Sequence, residues 1–152
     1  MTVPFLSFAP QHVPIRAEIL AALADVYDKQ WYVLGEQVKA FEAEYSAFNQ
    51  VAHTVGVANG LDALHLALEA LGVQPGDEVI VPSNTYIATW LAISFVGGVP
   101  VPVEPNPRTY NLDPARLEDA LTPRTKGIMP VHLYGQACEM GPIMEVARRH
   151  GL

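Results

Sequence analysis

"VGVANGLDALHLALEALGVQPGDEVIVP" (Val55–Pro82) changes rhythm twice along its length. A β-branched opening gives way at Asn59-Gly60 to leucines at helical spacing, with Leu61, Leu64, Leu68 and Leu71 on one stripe. "VQPGDE" turns the chain, and "EVIVP" has the composition of a buried strand. The same alternation continues downstream. "YIATWLAISFVG" predicts a helix, "VPVPVE" a strand, and "LDPARLEDAL" a helix with Asp113 as N-cap and Pro114 at its first position. "KGIMPVHLY" predicts a strand and "PIMEVARRH" a helix. With a first strand over Val51–Val57, strand and helix alternate four times. That pattern implies an α/β fold: a largely parallel sheet with helices packed over its faces.

Both ends of the chain add to this. Ahead of the sheet, "EQVKAFEAEYSAFN" places Val38, Phe41, Tyr45 and Phe48 on one helical face. Gly35 suits the turn before it. Ile15–Asp28 reads as a weaker helix, followed by the aromatic loop at Trp31-Tyr32. We therefore expect a helical arm over residues 1–50 and an incomplete α/β domain over 51–152. At the other end, Arg148, Arg149 and His150 occupy a last helical turn, with Gly151 as the residue that stops it. A unit ending this way should feed another strand, yet only Leu152 follows. The expectation is a fragment.

Composition narrows the class. Half of the 152 residues are apolar and 16% are charged, a globular profile. A net charge of −7 argues against a nucleic-acid backbone or an anionic membrane as partner. It leaves small anions open, because local amides decide their binding. The single cysteine, Cys138, excludes an internal disulfide and suits a reducing compartment. The start has no signal-peptide pattern, and no stretch reaches the roughly 20 apolar residues that span a bilayer; a cytoplasmic protein is expected. His12, His53, His65, His132 and His150 share no metal-ligand spacing. His65 is expected on the solvent face of its helix with Asp62 and Glu69, and Cys138 in a loop without an activating partner.

The turn at Asn59-Gly60 fails two phosphate motifs. No Lys-Ser/Thr follows the glycine, and G-V-A-N-G-L-D is not G-x-G-x-x-G. Two readings remain. Either Asn59 is a plain N-cap with Asp62 complementing the helix dipole, or the free amides of the first turn bind a phosphate through the main chain. "VPSNTYIATW" favours the second, since Ser83, Asn84, Thr85 and Tyr86 also lie between a strand end and a helix start. Ligands of open parallel sheets bind at the carboxyl ends of the strands. A flat ring beside a phosphate cradle suits a phosphorylated heteroaromatic cofactor.

Four blocks, "VGVANGLDALHLAL", "GDEVIVPSNTYIATWLAI", "PVPVEPNPRTYNLDP" and "GIMPVHLYGQ", resemble the N-terminal half of the DegT/DnrJ/StrS sugar aminotransferases, and "WYVLGEQVKAFEAEYSAF" extends the likeness. The resemblance implies the aspartate-aminotransferase fold, pyridoxal 5′-phosphate as cofactor, and transamination of a nucleotide-linked keto-deoxysugar with an amino-acid donor, glutamate being expected. It also implies a homodimer. Gly60-Leu61 stands where most members have Gly-Thr or Gly-Ser. "NGLDAL" with "PVEP" resembles the subgroup that aminates 3-keto sugars carried on dTDP, where main-chain amides hold more of the phosphate. Gly60 and Leu61 would then be phosphate contacts, and Tyr86 the ring stacked on the pyridine. Asn59 and Asp62 would shape the turn, with the Asp62 carboxylate directed away from the anion. His132 and Tyr134 would line the pocket. Tyr32 and Gly35 would lie near the substrate on the arm, often across a dimer interface. The family's lysine and its pyridine-facing aspartate would fall beyond Leu152, and Lys29, Lys39 and Lys126 are not in the lysine's context. The chain alone is therefore expected to be inactive. A sugar dehydratase of the same family and a non-enzymatic regulator are the alternatives.

Overall fold

The computed structural model describes residues 3–152, which divide into two compact units at Gly56/Val57. In the first unit, α1 (Ala9–His12) is a single turn, α2 spans Arg16–Lys29 and α3 spans Glu36–Asn49. Gln30 and Gln50 end α2 and α3 in the left-handed conformation. The predicted aromatic face of α3 forms as expected: Phe41 stacks on Tyr45 with centroids 5.4 Å apart, and Tyr45 meets Phe48 at 6.4 Å. All three rings remain exposed. Residues 51–56 do not form the predicted strand. An extended segment becomes a strand only when a neighbour completes its hydrogen-bond ladder, and none of the described strands pairs with it. It lies along α3 instead, where Gly56 N–H donates to the Glu42 carboxylate at 2.7 Å and Ser46 Oγ donates to Thr54 Oγ1 at 2.8 Å.

The second unit is the α/β part. Its elements are α4 (Gly60–Ala70), β1 (Glu78–Pro82), α5 (Ala88–Phe95), β2 (Val99–Val103), α6 (Leu117–Ala120), β3 (Thr125–Ile128) and α7 (Met140–His150). The three strands are parallel in the order β2-β1-β3, so β1 is central and all five of its residues are buried. The run "EVIVP" is apolar on both faces for that reason: each face carries a core of its own. On one face Ile80 packs with Val103, Leu112, Leu117, Ile143 and Val146. On the other, Val79 and Val81 pack with Leu68, Val73, Ala92 and Ile93.

Several boundaries differ from the sequence reading. The third strand stops at Ile128 rather than running to Tyr134, because Pro130 cannot donate to a ladder and the chain turns away. α5 is shorter than its apolar run, starting after Ile87 and ending before the Gly97-Gly98 pair. Gly97 has φ +77°, and a Cβ on Gly98 would meet Ile93 Cγ2 at 2.9 Å and the Asp77 carbonyl oxygen at 3.3 Å. Leu71 leaves the leucine stripe: α4 ends at Ala70, and the Leu71 side chain is 80% exposed. Asp113 caps as predicted, its carboxylate accepting from Ala115 N–H at 3.1 Å.

Beside β3, an apolar cavity of about 590 Å³ lies between α4 and α7, lined by Leu64, Leu68, Ile128, Met129, Ile143 and Met144 among others. The outer edge of β3 has no paired strand among the described residues.

Candidate functional site

Parallel strands place every loop that follows a strand at one end of the sheet. Residues 83–87, 104–113 and 129–139 follow the carboxyl ends of β1, β2 and β3, and so share that end. α4 delivers the chain to the amino end of β1 through the turn at residues 71–77, so its own first turn lies at the carboxyl end as well. The first turns of α4 and α5 are thus brought to the same rim, where ligands of such sheets bind.

At the α4 turn, Asn59 is extended and accepts from Asp62 N–H through Oδ1 at 2.9 Å. Its Nδ2 donates to Asp62 Oδ2, also at 2.9 Å, so the carboxylate is tied to the cap. Helix geometry leaves the N–H groups of Gly60 and Leu61 without intrahelical partners. A Cβ on Gly60 would meet nothing within 4 Å, so the backbone there is open to close approach. Leu61, by contrast, turns its side chain into the core beside Leu64. Only its amide is available to a ligand.

The loop after β1 presents Tyr86, 79% exposed. Thr85 Oγ1 is buried and has no hydrogen-bond partner among the described residues. α5 is anchored behind this loop by Trp90, whose Nε1 donates to the Pro82 carbonyl at 3.4 Å. Free amides, an open glycine, an exposed ring and an orphaned hydroxyl on one rim fit a phosphorylated aromatic cofactor. The donors are neutral, and among the described residues no group of His, Cys, Asp or Glu could hold a metal ion.

His132 and Tyr134 lie at the mouth of β3. His132 Nδ1 accepts from Cys138 N–H at 3.0 Å, which fixes the ring against its own loop. Tyr134 has φ +54° and its side chain is 97% exposed. In the arm, Tyr32 is exposed and its hydroxyl donates to the Tyr27 carbonyl at 3.4 Å. Gly35 is the buried N-cap of α3, where a Cβ would sit 2.9 Å from the Trp31 carbonyl oxygen. His65 is not on a free solvent face: its ring meets Phe95 edge-on at 5.7 Å, because α5 packs along that side of α4, and Nε2 is 3.4 Å from Glu69.

Two of the three lysines are occupied elsewhere. Lys29 bridges Asp25 and Glu36 at 3.0 Å each, and Lys39 lies 5.3 Å from the centre of the Trp31 ring. The bonds to Glu36 and then Asp25 hold the Lys29 ammonium above its ordinary range, the opposite of what a nucleophile needs. One residue of this rim was not visible as a candidate in the sequence. Asn111 is 3% exposed and uses both ends of its amide; its local context, "TYNLD", gives no sign of burial.

Comparison with known proteins agrees with the parallel α/β fold. The chain is 53% identical over 150 residues to the dTDP-3-amino-3,4,6-trideoxy-α-D-glucose transaminase of Streptomyces venezuelae, covering 99% of this chain and 40% of that protein. It superposes on S. venezuelae DesV in complex with a ketimine intermediate with a TM-score of 0.95 at 53% identity, over 99% of this chain and 40% of that one. Against NtdA from Bacillus subtilis with bound cofactor PMP, the TM-score is 0.91 at 36% identity, over 100% of this chain and 36% of the other. The chain thus spans about 40% of the length of the first of these relatives, and it has the fold of the matching part of the DesV structure. Residues 13–152 match the DegT/DnrJ/EryC1/StrS aminotransferase family, and the chain belongs to it.

Proposed function

We propose that this chain is the N-terminal part of a pyridoxal-phosphate-dependent aminotransferase acting on a nucleotide-linked keto-deoxysugar, with dTDP as the carrier. The observation that carries the reading is 53% identity to a dTDP-amino-sugar transaminase across 99% of the chain. The match spans all three rim loops. Gly60 and Leu61 amides hold the cofactor phosphate, at a helix N-terminus whose dipole favours the anion. Tyr86 covers one face of the ring. Bound there, the cofactor supplies the electron sink for exchange of an amino group. Asn59 and Asp62 keep the turn in shape through their paired cap hydrogen bonds.

His132 and Tyr134 face the sugar in this reading. Tyr32 and Gly35 approach it from the arm of a second subunit in a homodimer. The lysine that carries the cofactor and the aspartate that faces the pyridine nitrogen are supplied by residues after Leu152. The chain by itself positions cofactor and substrate without moving the amino group. Glutamate is the proposed donor and the cytoplasm the proposed location; among the described residues no helix is long and apolar enough to cross a membrane.

The full-length protein, purified and given pyridoxal phosphate, should show the yellow absorbance of the bound cofactor. Glutamate should bleach it, and a dTDP-linked 3-keto sugar should restore it as 2-oxoglutarate and amino sugar accumulate. A protein that takes up no cofactor would overturn the proposal. Bleaching followed by loss of a sugar hydroxyl instead of amination would assign the dehydratase chemistry.

A further inference from the structure

We propose that Asn111 is a positioning residue for the sugar substrate, acting through Tyr134; this rests on the proposed aminotransferase reading. Tyr134 interrupts a short 3₁₀ turn (Leu133–Gly135) with φ +54° and ψ +26°, and Gly135 follows at φ +82°. Left-handed backbone is costly for a bulky residue and persists only where the surroundings impose it. The Tyr134 ring cannot be what imposes it, since the side chain is 97% exposed.

Asn111 brackets the tyrosine from both sides. Its Oδ1 accepts from Leu133 N–H at 3.1 Å, one residue before Tyr134. Its Nδ2 donates to the carbonyls of Gln136 and Ala137 at 3.0 and 3.2 Å, two and three residues after it. The far end of the loop is closed by Cys138, whose N–H donates to His132 Nδ1 and whose Sγ donates to the Val131 carbonyl, both at 3.0 Å. Only a carboxamide satisfies this set. An aspartate would accept from Leu133 but set a negative charge against two carbonyl oxygens, and a leucine would take the side-chain donor from the Gln136 and Ala137 carbonyls and leave Leu133 N–H only its bond to the Val131 carbonyl at 2.9 Å.

Asn111 is itself held in register with the cofactor loop. Its carbonyl accepts from Asn106 N–H at 2.9 Å. The preceding residue, Tyr110, is also left-handed at φ +59°, and its carbonyl accepts from Asn84 Nδ2 at 3.0 Å. Asn84 lies two residues before Tyr86. One hydrogen-bonded frame therefore joins the loop that presents Tyr86 to the loop that presents Tyr134. A phenol offered this way has a flat apolar face and one hydroxyl, which suits a deoxygenated pyranose ring.

The test uses the full-length holoenzyme carrying Asn111→Asp, Tyr134→Ala and both together. Each single variant should raise KM for the keto-sugar nucleotide roughly tenfold, with a smaller change in kcat, and the pair should be no worse than Tyr134→Ala alone. Amides 133–137 should exchange hydrogen at least tenfold faster in Asn111→Asp without any substrate. Multiplied effects in the double variant, an unchanged KM, or unchanged exchange would each overturn the assignment. Faster exchange in a protein that aminates no keto sugar would sink the aminotransferase reading while leaving the clamp itself in place. Should Asn111→Asp fail to fold, Tyr134→Gly, which relieves the backbone while deleting the ring, must still raise KM.

Discussion

One side chain with reactive chemistry, Cys138, is set aside by its surroundings. Burial pushes the Cys138 thiol up from its ordinary range, against the smaller opposing influence of nearby backbone groups, and its Sγ is already bonded to Val131. A thiolate is therefore scarce at neutral pH. Labelling with a thiol-specific reagent at pH 7.5 should be slow in the native protein and should go to completion in denaturant. Rapid native labelling would show that the loop opens. At Tyr86 the argument runs the other way, since the ring is exposed and has stacking to offer. Tyr86→Ala in the full-length protein should weaken cofactor binding by about 1 kcal/mol, or roughly fivefold. Titration with pyridoxal phosphate measures this, and an unaltered affinity would remove Tyr86 from the site. Gly60 and Tyr86 could be picked out from the sequence because turn chemistry is local. Asn111 could not, because its partners lie 22 to 26 residues away.

Among the elements, β1 and β3 are tied at their amino ends by a buried acid. Glu78 is 4% exposed; it accepts from Thr122 Oγ1, and Arg124 Nε donates to it at 2.9 Å. The Thr122 hydroxyl and then the Arg124 guanidinium hold its carboxyl below the ordinary glutamate range. A carboxyl depressed in the folded state stabilises the fold above its unfolded titration range. That contribution disappears as pH falls through the folded value. Glu78→Gln should thus lower the melting temperature near pH 7 and narrow its gap to the parent below pH 4; a constant gap across that range would refute the linkage. The strand itself was plain from "EVIVP", whose β-branched run matches the observed bounds residue for residue. The expected strand at Val51–Val57 had equally good composition but no neighbour. Ladder pairing depends on tertiary structure, and composition cannot supply it.

For the molecule as a whole, the two units differ in what they bury. The described residues of the arm bury no apolar side chain: Leu23, Tyr27, Phe41, Tyr45 and Phe48 are all exposed, and only Gly35 is buried. Helices of 14 residues without a packed face are marginal in water. A peptide of residues 1–56 should therefore show a broad, non-cooperative loss of helicity on heating, and a sharp transition would contradict this. The α/β class was readable from the sequence because the change of period from strand to helix recurs along the chain. The lengths of β3 and α5 were not, because Pro130 and the close contact at Gly98 cut short runs that composition alone would have continued.

The apolar trough beside β3 bears on how the 152-residue chain behaves at the bench. Its lining and the neighbouring strand edge are both sticky, and molecules meeting there would precipitate through the same seam. Changing Met144, a trough residue that is 42% exposed, to lysine should raise the yield of clarified protein from expressing cells. The same change at Phe48, distant from the trough in sequence and in the other unit, should not match it.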